Sequence, residues 1–154
     1  FFCSDVCAAY DRVIYNELGG FPRPAIFNED MIFAGKALLQ DDYAVAYAAS
    51  ARVIHSHNYN CRQQFKRNFD LAVSQADHPE LFGCVRSESE GIRLVKSTAH
   101  FLIHRGKPWL GLVVKSGFKF LGYRAGKCYR LLPKWLILKL TMNREYWKKA
   151  CDRA

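Results

Sequence analysis

Five apolar residues set the first constraint on this chain. Phe65, Phe69, Ala72, Val73 and Ala76 recur at i, i+4, i+7, i+8 and i+11, the spacing of one face of an α-helix. A helix from about Cys61 to Gln75 must bury that face against another element. Asn58 or Asn60 is placed to cap its start, and Arg62, Lys66, Arg67 and Asp70 lie off the stripe. A chain of 154 residues, half of them apolar and 24% charged, has the profile of about one folded domain with a real core.

The other segments give alternating helical and extended signals. Residues 1–10 (FFCSDVCAAY) have the pattern of a strand entering a turn. Asp11 can cap a helix from Arg12 to Leu18, which Gly19-Gly20 stops. After the stiff loop Phe21-Pro22-Arg23-Pro24, Asn28 is positioned to cap a helix from about Glu29 to Leu39, with Phe33, Ala34, Ala37 and Leu38 inward. Residues 43–48 and 51–57 alternate as strands do, which puts Val53, His55 and His57 on one face. Asp41-Asp42 marks a turn before them, and residues 77–90 are polar and turn-rich. Helical patterns return from Gly91 to Ile103 and along Leu110, Val113, Val114, Phe118 and Leu121, with Lys115 and Lys119 outside that stripe. Pro133 starts a last helix carrying Trp135, Leu136, Leu138 and Leu140.

Charge is unevenly distributed. Residues 1–99 hold 10 Lys/Arg against 12 Asp/Glu, whereas residues 100–154 hold 13 against 2. The excess of the whole chain therefore sits in its last third and calls for an anionic partner, a membrane surface or a nucleic acid. Lys and Arg flanking Trp and Leu on amphipathic helices favour anionic lipid headgroups over nucleic acid, and the plainer alternative is a solvated basic face on an ordinary helical subdomain. No run of 18 or more uncharged apolar residues occurs, so no spanning helix is expected, and no signal peptide is recognised. Six dispersed cysteines without a Cys-x-x-Cys pair suit reduced thiols in the cytoplasm better than a disulfide scaffold. The first residue is Phe1, and a piece of a longer protein is expected.

Candidate chemistry centres on Glu29 and Asp30. Two carboxylates in a first helical turn are favoured by the helix dipole, and an ionised, fixed carboxylate can take a proton from a hydroxyl. The plainer alternative is a well-capped helix start. His55-x-His57 could offer two imidazoles to a divalent metal, or be two ordinary surface histidines. His100 and His104 lack the Glu of a zinc-protease helix, since Phe101 follows His100. Neither a Walker loop nor a Gly-x-Ser-x-Gly elbow is present.

In order along the chain stand Phe2-Cys3-Ser4-Asp5-Val6-Cys7-Ala8-Ala9-Tyr10, Glu17-Leu18-Gly19-Gly20-Phe21-Pro22 and Phe27-Asn28-Glu29-Asp30-Met31. Ala51-Arg52-Val53-Ile54-His55-Ser56-His57-Asn58-Tyr59 and Arg62-Gln63-Gln64-Phe65-Lys66-Arg67-Asn68-Phe69-Asp70 follow. This series resembles the second half of a family 2 glycosyltransferase of GT-A fold, of the bacterial rhamnosyltransferase type. The likeness is strong over residues 1–76 and looser at Leu121-Gly122-Tyr123 and Leu132-Pro133-Lys134-Trp135-Leu136.

The resemblance implies an α/β fold: residues 1–90 as the acceptor-side half of a GT-A domain, then a basic helical extension, 91–154, touching a membrane surface. It implies an inverting, metal-dependent transfer from a nucleotide-diphospho-sugar to a lipid-linked or polysaccharide acceptor in cell-surface polysaccharide synthesis, at the cytoplasmic face of the plasma membrane. Asp30 matches the catalytic base, and Glu29 would position the acceptor or support Asp30. His55, with His57 as fallback, matches a ligand of a Mg or Mn ion. Ser4, Asp5, Asn28 and Gln64 fall on the substrate side, while Lys66 and Arg67 would add charge near the diphosphate. Asn68 stands where processive synthases carry Trp, which implies one sugar per encounter. The family's nucleotide-binding half and its Asp-x-Asp motif are missing from these residues, so the metal site is incomplete and the fragment alone is expected to be inactive. The alternative is a non-catalytic basic module for nucleic acid or anionic membrane.

Overall fold

The computed structural model describes residues 3–40, 43–83 and 87–151, without the side chains of 87, 88 and 149–151. The proposed strand start at Phe1-Phe2, the turn at Asp41-Asp42 and the thiol of Cys84 lie outside the described residues. Contacts divide the chain into two compact units, Phe1–Asn58 and Tyr59–Ala154.

The first unit holds a 3-10 turn, Asp5–Cys7, and two helices, α1 (Arg12–Glu17) and α2 (Glu29–Leu38). Asp11 caps α1 as its position predicts, accepting from the N–H groups of Val13 and Ile14. Gly19 and Gly20 then take φ of 75° and 67°, the left-handed region that stops a helix at low cost only for glycine. A Cβ on Gly20 would also stand 2.8 Å from the Tyr15 ring. That ring belongs to a cluster in which Tyr10, Tyr15, Phe21 and Phe33 contact one another with centroids 5.2–6.4 Å apart, mostly edge to face as their quadrupoles prefer. Ile32, Phe33, Ala34 and Ala37 are the buried side of α2, while Leu38, expected inward, is exposed. The Tyr43 hydroxyl donates to Glu17 at 2.8 Å and so holds the chain after α2 to α1.

The α/β expectation is overturned. Among the described residues there is no strand: within 3–10 only Asp5–Cys7 form an element, the 3-10 turn under a Ser4 cap, and 43–48 and 51–60 run without a hydrogen-bonded ladder. Period-two alternation suits an extended backbone, but a strand exists only when a neighbour takes up its N–H and C=O groups. Residues 51–58 lie exposed, Ile54 fully so, where water can serve those groups instead. The described chain is helical, not the α/β half of a GT-A domain.

The second unit is built on α3 (Cys61–Asp77), followed by α4 (Pro79–Phe82), α5 (Ser87–His104), α6 (Leu110–Lys127), α7 (Lys134–Leu140) and α8 (Arg144–Cys151). Asn60 and Gln63 form a reciprocal capping box at the start of α3. The stripe behaves as its spacing requires at the centre, where Phe69, Ala72 and Val73 are fully buried. The most extensive contact between two elements is α3 on α6, and its seam is not the expected Leu110–Leu121 stripe, which is exposed. Gly122 and Gly126 are the buried residues of α6. Likewise Ile137, rather than Trp135, is the buried residue of α7.

Asp70, which lies off the apolar stripe, is nevertheless buried. Its carboxylate accepts from the Thr141 hydroxyl at 2.6 Å and the Met142 N–H at 2.8 Å, which ties the α7–α8 connection to α3. Burial raises its pKa above the ordinary 3.8, against the lowering effect of those hydrogen bonds and of Lys66. A raised folded pKa contributes stability below the unfolded value, and that contribution is lost as pH rises through the folded one. Wild type should therefore lose stability relative to Asp70→Asn as pH rises through that window. At neutral pH Asp70→Asn should still be weaker by about 1–3 kcal/mol, because its single amide oxygen cannot replace the two carboxylate oxygens that accept from the Thr141 hydroxyl and the Met142 N–H. Urea unfolding of both proteins from acid to neutral pH checks the two expectations.

Candidate active site

Asp30 is the second residue of α2, and its place is fixed from two directions. Behind it, buried Ile32 and Phe33 anchor the helix, Phe33 within the aromatic cluster. In front, the Asp5 N–H donates to Oδ2 at 3.0 Å and the Met31 N–H to Oδ1 at 2.7 Å. Each carboxylate oxygen can accept twice, so two backbone donors hold the group and still leave lone pairs for a proton. Asn28 does occupy the cap position, but in the left-handed conformation (φ 60°) and buried, with no side-chain cap bond. Glu29, half-buried, opens the helix beside Asp30.

Asp5 is held in turn. Ser4 Oγ accepts from the Val6 N–H at 3.5 Å, closing the 3-10 turn, and the Tyr10 hydroxyl donates to Asp5 Oδ1. Partial burial first, and then the bonds to Asp5 and Cys3, push the Tyr10 phenol well above its ordinary pKa, so it stays a donor. Ser4, Asp5 and Asp30, nominated separately in the sequence, thus form one arrangement, joined through Tyr10 to the aromatic core. Tyr10→Phe should cost about 1 kcal/mol of stability and loosen the Asp5 segment, which amide exchange of Asp5 and Val6 would register.

His55 and His57 converge as period-two spacing predicts. Their Nε2 atoms lie 2.8 Å apart, with ring planes at 89°, and both rings are exposed. Two imidazoles can fill two positions of a metal's shell, half of a tetrahedral set. Among the described residues no group of three or more His, Cys, Asp or Glu side chains is suited to hold an ion, and Mg favours oxygen donors. The pair fits a partial ligand set only.

Gln64, Lys66 and Arg67 belong to α3 in the second unit. The Gln64 carbonyl accepts from Asn68 at 2.8 Å. Lys66 Nζ donates to the Thr141 carbonyl at 3.2 Å. Its pKa is lowered by burial first and then by Arg62 and Arg144, partly offset by Asp70. Arg67 stacks 5.7 Å from the Tyr59 ring centroid. The thiols of Cys3, Cys7, Cys61 and Cys128 are free.

Against known proteins, the chain is 41% identical over 150 residues to the O-antigen chain rhamnosyltransferase WbaN of Salmonella anatum. It is equally identical, over the same length, to the O-antigen chain rhamnosyltransferase RfbN of Salmonella typhimurium strain LT2. The chain is similar to rhamnosyltransferases. The match takes in 95% of this chain and 47% of each relative, so the chain spans about half the length of the curated relatives it matches. No family model matches the chain, and no solved structure matches it.

The sequence pattern did not signal the Asp5–Asp30 bond, the glycine seam or the Asp70–Thr141 pair. Gly122 and Gly126, spaced i, i+4, were the available sign of the seam, since that spacing places two residues without side chains on one helix face.

Proposed function

We propose that this chain carries the acceptor side of a glycosyltransferase that adds one sugar, a rhamnosyl group, to a saccharide acceptor in cell-surface polysaccharide synthesis. The observation that carries the reading is the 41% identity, over 95% of the chain, to two O-antigen chain rhamnosyltransferases. In this reading Asp30 is the base. Its carboxylate takes the proton of the acceptor hydroxyl while that oxygen forms a bond to the anomeric carbon of a nucleotide-diphospho-sugar. The bond from that carbon to the diphosphate breaks, and the nucleoside diphosphate leaves with the electron pair. One displacement inverts the configuration.

The fixed carboxylate supports this role, because a base held by backbone donors is positioned before substrate arrives. Asn28 and Glu29 precede it in the sequence, Asp5 bonds it through its backbone N–H and Ser4 caps the turn that holds Asp5; these four are proposed to position the acceptor. A divalent ion, Mg or Mn, would supply charge neutralisation at the diphosphate. His55 and His57 would give it two ligands and others must come from elsewhere.

The reading is tested with the full-length protein, a nucleotide-activated rhamnose and a lipid-linked saccharide acceptor. Transfer with inversion, read from the anomeric coupling in the product, is expected. Transfer with retention would remove the single-displacement mechanism, and absence of rhamnosyl transfer with any nucleotide donor would remove the assignment.

A further inference from the structure

The tip of the helical hairpin formed by α5 and α6 is apolar, exposed and cationic at once. Phe101, Ile103, Trp109, Leu110, Val113 and Val114 are 40–64% exposed, and they come from the last turn of α5, the connection and the first five residues of α6. Arg105 and Lys107 stand exposed between them. The connection is a built turn: Gly106 N–H bonds the Ile103 carbonyl at 3.0 Å and Lys107 N–H bonds the Leu102 carbonyl at 2.9 Å, the paired bonds that close a helix end. Arg105 lies 4.8 Å from the centroid of the Phe101 ring.

We propose that this tip is a membrane-docking element that seats in the headgroup region of an anionic bilayer. Charge decides the occupant. From Gly91 to Arg144 the sequence holds 12 Lys/Arg and not one Asp or Glu, so the surface complements an anionic partner and opposes a second copy of itself. The apolar groups at the tip decide between anionic partners. Ile103, Leu110, Val113 and Val114 have no ring to stack on a base, and aliphatic side chains beside a Trp and flanking cations are what the boundary of headgroup and acyl chain accepts. The described helices do not cross a bilayer, none being long and apolar enough. A tip that enters only the interface needs no such helix. The inference does not depend on the sugar-transfer reading.

The test is flotation of the full-length protein with phosphatidylcholine vesicles, with and without phosphatidylglycerol. Flotation is expected only with the anionic vesicles, and less of it in high salt. Replacing Arg105 and Lys107 by Gln should weaken vesicle affinity roughly five-fold for each cation removed. The further pair Trp109→Ser and Leu110→Ser should weaken binding even at low salt. All four side chains are exposed, and the two Gln substitutions touch no buried atom, so the first pair keeps the test open if the second disturbs folding. Failure to float with anionic vesicles would overturn the inference, as would flotation that none of these substitutions weakens. Salt-sensitive binding to single-stranded oligonucleotide without vesicle binding, or self-association through the tip, would also overturn it.

Discussion

Gly126→Ala is expected to disrupt the second unit strongly for the addition of a single methyl group. The added Cβ would lie 2.3 Å from the Phe69 carbonyl oxygen and 2.7 Å from the Ala72 Cβ. Neither neighbour is a flexible side-chain end, and both belong to the fully buried centre of α3. One turn earlier, a Cβ at Gly122 would stand 2.2 Å from the Phe65 carbonyl oxygen. The helices can relieve such contacts only by moving apart along their whole seam, which releases the packing of Phe69 and Val73. Overpacking commonly costs about 1–3 kcal/mol and occasionally more. Backbone atoms on the receiving side place these two substitutions at the upper end, about 3 kcal/mol each. Urea unfolding should show earlier midpoints for both, and a double variant that fails to accumulate as folded protein. Gly111→Ala or Gly117→Ala, where a Cβ meets nothing within 4 Å, should be neutral or slightly stabilising, because Ala is the better helix former. Equal effects at all four glycines would contradict the close-packed seam.

The same seam explains why some of the fold was legible and some was not. The α3 stripe was readable because large apolar residues recur at helical spacing and bury their own surface. The α6 contact was not legible because its burial comes from backbone approach, which hydropathy does not record: the apolar stripe with Leu110 and Leu121 lies exposed, whereas two glycines form the contact. The capping sites Asp11 and Asn60 were legible because capping is local. Asn28 occupies its predicted place but serves through its left-handed backbone and burial rather than through a side-chain cap. The strands were misread for the opposite reason, since pairing is non-local and alternation over residues 43–57 supplies no partner. Asp70 depends on Thr141, 71 residues away, and Asp30 on Asp5, 25 residues away. Each carboxylate was visible as a residue, but what holds it was not. The convergence of His55 and His57 was legible because two residues on one face of an extended backbone are neighbours by geometry.

The second large effect is expected at Asp30. Asn at this position keeps the shape of the side chain and can still accept one of the two backbone N–H groups through its oxygen. It loses the other and cannot take up a proton. The folding cost should be about 1 kcal/mol, one ordinary hydrogen bond, while the chemical cost is that of a missing general base, about 10²–10⁴ in rate. The two effects separate cleanly. A misplaced or loosened helix would change substrate affinity together with turnover, whereas loss of a base lowers kcat with donor binding preserved. The decisive measurement is therefore rhamnosyl transfer by full-length Asp30→Asn, with nucleotide-sugar affinity determined on the same preparation. The account predicts kcat lower by at least about two orders of magnitude, with unchanged donor affinity and an intact fold. Turnover close to wild type would contradict it and remove Asp30 from the chemistry.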